Sequence, residues 1–268
     1  CCRSDRTTSC HRIAAAKLCL IISDNMRDCG TAKEAFDLVR RDLSVEDPGA
    51  VDGIEARLIY ETSFGDRTAA KTVVEKLLEA DWQSPRRQAF GFILAAHAFE
   101  RLGMTQRVTD VATKAYRLGV ESLCGTAAAA AARKLAWAYL DDGDQAQAEH
   151  WYKLAVAWVE KGQLSSFTAD LCGLEAELLI GCQDYVGATE ALLKSQAAWH
   201  RTVHARWRLG VLSAQCAIWL ATGERGRCEA AVSEYRALLS PLYQEEGNDL
   251  FASRFFLLLA SIGRRSEA

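Results

Sequence analysis

Two histidines four residues apart, His200 and His204, are the residues best spaced for metal chemistry, since on a continuous helix they share one face. Between them lie Arg201, Thr202 and Val203, so there is no glutamate to act as a base in metal-assisted hydrolysis. Stoichiometric zinc or iron in purified protein is what an enzyme built on this pair would require. Cys1, Cys2, Cys10 and His11 supply enough ligand atoms for zinc, but at a spacing that matches no standard site. Asp141-Asp142-Gly143-Asp144 lacks the ligand spacing and closing glutamate of a calcium loop and reads as helix capping. Gly223-Glu224-Arg225-Gly226-Arg227 lacks the Lys and Ser/Thr of a phosphate-binding loop. With no nucleophile elbow and no kinase signature, the expectation is a protein with no catalytic centre, no metal and no cofactor.

The most distinctive local composition runs from Trp199 through His200, Arg201 and His204 to Arg206, Trp207 and Arg208. Aromatic faces alternating with cations can stack on bases or hold phosphates. The same residues also suit ordinary packing, with indoles between helices and cationic heads in water. Arg206, Trp207 and Arg208 are therefore a candidate anion patch. A net charge of -3 with well-mixed signs argues against a dedicated nucleic-acid surface or an anionic-membrane surface.

These residues must be positioned by helices. Half of the 268 residues are hydrophobic and only 3 are proline, enough apolar content for a core, and β-branched runs are scarce. The apolar stretch from Ile13 to Ile22 is broken by Lys17 and is far shorter than the roughly 20 residues of a membrane span. The ten cysteines are spread along the chain without a C-x-x-C pair, which reads as reduced thiols in a cytoplasmic protein.

One period organises the chain. Ala136, Tyr139, Gly143, Ala148, Tyr152 and Ala155 follow the order small residue, aromatic, glycine, alanine, aromatic, alanine. Forty residues earlier stand Ala96, Phe99, Gly103 and Ala115, and forty later Ala176, Leu179, Gln183, Ala188 and Leu192. The next steps give Cys216, Trp219, Gly223, Cys228 and Val232, then Phe256, Leu259 and Gly263. Upstream, Gly65 precedes Ala70 and Val74, and Gly30 precedes Ala35 and Val39. Small residues let paired helices approach, aromatics fill the space between them, and glycine ends the first helix at little cost. Asp66, Asp144 and Asp184 are placed to cap second helices. Pro48, Pro85 and Pro241 are expected beyond second helices, where a missing N–H does no harm. Cys216 and Cys228 occupy small-residue positions and read as packing substitutes for alanine.

The pattern resembles the second half of the tetratricopeptide signature and covers the chain from about Ile13 to Gly263. The leading Trp and the Leu-Gly pair of that family are mostly replaced, and forty residues exceeds its usual 34. The longer unit is similar to the helical arms of bacterial regulators. The resemblance implies an all-α, right-handed solenoid of six to seven antiparallel helix pairs over residues 13–268, with residues 1–12 frayed. It further implies a fragment of a larger protein with an output domain downstream. The function implied is a non-catalytic interaction or sensing arm of a bacterial signalling protein, holding a protein, a peptide or a small effector in its concave groove. The runner-up is the effector-binding region of a maltose-regulator-type transcription activator. Carried over by register, the groove positions are His97, Glu100, Arg133, Lys134, Trp137, Glu177 and Arg254.

Overall fold

The computed structural model describes residues 29–42, 50–82, 84–198, 205–246 and 259. Among the described residues there is no strand, and the elements are eleven α-helices and one 3-10 turn. The helices are α1 (Cys29–Asp42), α2 (Ala50–Ser63), α3 (Arg67–Glu79), α4 (Pro85–Arg101), α5 (Thr105–Glu121), α6 (Gly125–Asp141), α7 (Gln145–Gly162), α8 (Thr168–Gly181), α9 (Tyr185–Ala198), α10 (Ala205–Ala221) and α11 (Arg225–Glu246). The short turn Ser165–Phe167 leads into α8. No described helix is long and apolar enough to cross a membrane.

Start signals act where the aspartates stand. Asp66 accepts from the Thr68 amide at 2.9 Å, Asp144 from that of Gln147 at 3.0 Å, and Asp184 from that of Gly187 at 3.0 Å. Each satisfies one of the orphan amides that open a helix. Pro85 opens α4 as its first residue, where no donor is needed. Pro241 departs from expectation, because α11 continues through it to Glu246 instead of ending before it. Loss of one N–H removes a single rung of the ladder, and the helix continues on both sides of it. Pro48 and residues 1–12 lie outside the described residues.

Stop signals are more regular than glycine alone announces. Positive φ occurs at Gly103 (71°), Leu123 (52°), Gly143 (80°), Gln163 (50°), Gln183 (63°) and Gly223 (81°). In each turn the following amide reaches back five residues: Met104 to Phe99 O (2.9 Å), Cys124 to Gly119 O (2.8 Å), Asp144 to Tyr139 O (2.9 Å), Leu164 to Val159 O (3.0 Å), Asp184 to Leu179 O (2.9 Å) and Glu224 to Trp219 O (2.7 Å). This is the Schellman closure, which satisfies carbonyls at the helix end. The six positions fall on a twenty-residue grid whose point at 203 lies outside the described residues. A left-handed conformation costs an L-residue roughly 1–2 kcal/mol, and Leu123, 88% exposed, gains nothing from burial there. Leu123→Gly is therefore expected to stabilise the chain by about 1 kcal/mol, read as a higher urea midpoint at unchanged slope.

Packing follows the small positions of the period. Ala96, Ala136, Ala176 and Cys216 on one side, with Ala148, Ala188 and Cys228 on the other, are buried. Helices α5 and α6 approach so closely that a Cβ on Gly119 would lie 2.7 Å from the Ala128 nitrogen. In α6 the run Ala127–Ala132 is buried throughout. Substantial contacts join each helix to the next, and beyond these only α2 to α4, α4 to α6, α6 to α8 and α8 to α10 among the described residues. These contacts bring the alternate helices α2, α4, α6, α8 and α10 side by side.

Candidate functional site

On α4, His97 and Glu100 are three residues apart and so lie on one face. On α6, Arg133 and Lys134 face the neighbouring helices on either side. Lys134 Nζ donates to Glu100 Oε2 at 2.7 Å, and His97 Nδ1 lies 3.7 Å from the same oxygen. In the other direction Arg133 Nη1 donates to Asp170 Oδ2 of α8 at 2.7 Å. The Arg133 guanidinium stands 5.9 Å from the Phe167 ring centroid, and its buried Nε has no hydrogen-bond partner. Two charge pairs thus tie α4, α6 and α8 together.

Burial divides this row unevenly. Lys134 is 4% exposed, whereas the side chains of Glu100 and His97 are 36% and 40% exposed. Burial pushes the Lys134 ammonium down from its ordinary value, with Glu100 opposing the shift. Burial works against the charged form of Glu100, but the Lys134 ammonium and His97 outweigh it and hold the carboxyl well below the usual range. The positive charge of Lys134, and then burial, lower His97 from 6.5 to about 4 despite its contact with Glu100. At neutral pH the row holds a neutral imidazole beside a paired lysine and glutamate.

The sign of the resulting pH dependence is definite. A folded-state value below the unfolded one means that the unfolded chain takes up the proton first as pH falls. The His97 contribution is thus fully present above 6.5 and is lost between about 6.5 and 4; that of Glu100 is lost only at still lower pH. Because the ring is partly solvated, the loss is expected to be about 1 kcal/mol or less. Urea midpoints measured at pH 7 and 4.5 are expected to converge in His97→Gln.

The other expected groove residues are placed differently. Trp137 is half-buried and packs against the cluster of Ala136, Ala148, Leu174 and Leu178, so much of its surface serves the core. Glu177 is half-buried on α8. Lys134, expected to face outward, is turned into the α4–α6 contact. Arg254, like His200 and His204, lies outside the described residues. Of the anion patch, Arg206 and Trp207 fall in the first turn of α10, and their side chains are not among those described. Arg208 gives two hydrogen bonds to Glu234 of α11, Nε to Oε1 at 2.7 Å and Nη2 to Oε2 at 3.1 Å. This cation fastens a hairpin.

Asp170, the counter-charge of Arg133, is the residue that reading by register misses. Its sequence signal is a carboxylate at a position occupied by Phe90 and Ala130 in the two preceding units. No group of three or more metal-ligating side chains occurs among the described residues. Comparison with protein-family models, with curated proteins and with solved structures returned no match.

Proposed function

We propose that this chain is a tetratricopeptide-like α-solenoid that acts without chemistry of its own, as the interaction or sensing arm of a larger signalling protein. The observation that carries the reading is an asymmetry of packing. From α2 through α4, α6 and α8 to α10 each first helix touches the one that follows, and no comparable contact joins successive second helices among the described residues. A stack whose units lie closer on one side curves toward that side. The first helices then line a concave groove, the largest concave surface such a stack offers to an extended peptide or a partner's helix.

The residues that reach the groove side of α4, α6 and α8 include His97, Glu100, Arg133, Trp137 and Glu177. Their charges are largely matched within the protein, which leaves selectivity to shape and to the half-buried aromatic and imidazole surfaces. The test is selection of peptides from a random displayed library on the full chain, followed by affinity measurements with two charge-changing variants. His97→Glu and Glu177→Lys are expected to weaken selected peptides at least tenfold, while Leu193→Asp on the exposed face of α9 leaves them unchanged. Loss only in the α9 variant, or small-angle scattering of a closed globule, would defeat the proposal.

A further inference from the structure

Position by position, three hairpins place two small or branched apolar side chains where their helices cross: Ala96 with Val108, Ala136 with Ala148, and Ala176 with Ala188, all buried. In the α10–α11 hairpin both partners are thiols, Cys216 and Cys228. They are fully buried, and the Cys228 Sγ donates to the Cys216 carbonyl oxygen at 3.2 Å, which sets the second thiol against the residue that carries the first. Neither is needed for packing, since alanine fills the same crossing in the neighbouring hairpins. The crossing brings two oxidisable groups into contact across twelve residues of sequence, on two helices joined by a tight turn at Gly223.

We propose that Cys216 and Cys228 form a thiol–disulfide site, oxidised by peroxide to an intrachain bond that locks the α10–α11 hairpin. The step balances with two thiols and one peroxide. The first sulfur attacks a peroxide oxygen, its S–H proton leaves with the departing oxygen as one water, and a sulfenic acid remains. The second sulfur then attacks the sulfenic sulfur, the S–O bond breaks as the S–S bond forms, and the hydroxyl departs with the second thiol's proton as another water. Both sulfurs are oxidised and the peroxide is reduced. Burial raises both thiols above their ordinary range, so the thiolate that attacks is scarce at neutral pH and the reaction quickens as pH rises. Among the described thiols, exposed Cys182 is expected to react before this pair. The consequence for the groove is that α10, a first helix, becomes covalently fixed to its partner.

The full chain is treated with hydrogen peroxide under native conditions, free thiols are then alkylated in denaturant, and the tryptic digest is analysed by mass spectrometry. Cleavage at Arg208, Arg225, Arg227 and Arg236 puts Cys216 and Cys228 in separate peptides that hold no other cysteine. The expected product is those two peptides joined and lighter by two hydrogens, with a thermal midpoint raised by roughly 5–10 °C and restored by dithiothreitol. Cys216→Ala, which reproduces the alanine of the neighbouring crossings, is expected to fold and to show neither link nor shift. Both thiols still alkylatable after Cys182 is consumed would overturn the proposal. So would pairing of either with another cysteine, or a link that forms only in denaturant.

Discussion

Glu100→Ala is expected to destabilise the chain by about 3 kcal/mol, and Lys134→Met by less than about 1 kcal/mol, although the two residues form one ion pair. The difference lies in which partner is buried. Lys134 is almost wholly enclosed between α4 and α6, whereas Glu100 retains about a third of its side-chain surface in water. Removing the carboxylate strands an ammonium with no acceptor at bonding distance, and a buried unpaired charge is costly. Removing the ammonium instead leaves a carboxylate that water can solvate, while methionine fills the lysine's volume with apolar atoms. Glu100→Gln is expected to fall between the two, since its amide oxygen still accepts. Urea denaturation of the three variants checks the order, and equal losses for Glu100→Ala and Lys134→Met would refute the burial argument. A second readout comes from His97. Because the Lys134 charge is the main force lowering that imidazole, Lys134→Met is expected to move its titration midpoint upward from about 4.

Ala131→Leu is expected to cost about 3 kcal/mol, the upper end for overpacking a rigid core, and to lower the thermal midpoint by roughly 8 °C. Ala131 is fully buried within α6, a helix clasped by α5 and α7. At the α5–α6 contact, backbone already meets backbone beside Gly119. In a close-packed interior three added carbons push neighbouring helices apart, which also loosens the packing that brings α4, α6 and α8 together. Ala197→Leu, on the exposed face of α9, is expected to stay within about 0.5 kcal/mol of the parent. A small effect at Ala131 would mean that the first-helix row is more compliant than its alanine packing implies.

The groove hypothesis and the ion-pair row depend on each other. Arg133 and Lys134 are adjacent in sequence and therefore point to different neighbours, one to Asp170 and one to Glu100. One pair joins α4 to α6 and the other α6 to α8, so a perturbation of one contact also acts on the spacing of these helices. The proposed thiol lock lies at the other end of the described helices, between α10 and α11.

Much of the architecture was written in short-range patterns. Helix starts at Asp66, Asp144 and Asp184, left-handed residues at Gly103, Gly143 and Gly223, a turn at Gln183, and burial of Ala136, Ala148, Ala176 and Ala188 all followed from residue type and position in the period. Such features depend on one backbone conformation, or on neighbours three and four residues away. The left-handed Leu123 and Gln163 were not legible, because there the closure of the turn overrides the side chain's own preference. Nor was the helical course of α11 through Pro241, where the local rule for proline gave way. The burial of Lys134 and the choice of Asp170 by Arg133 were decided by tertiary structure alone. Which charges meet across two helices depends on how far apart and at what angle those helices cross, and no periodicity within a single helix contains that distance.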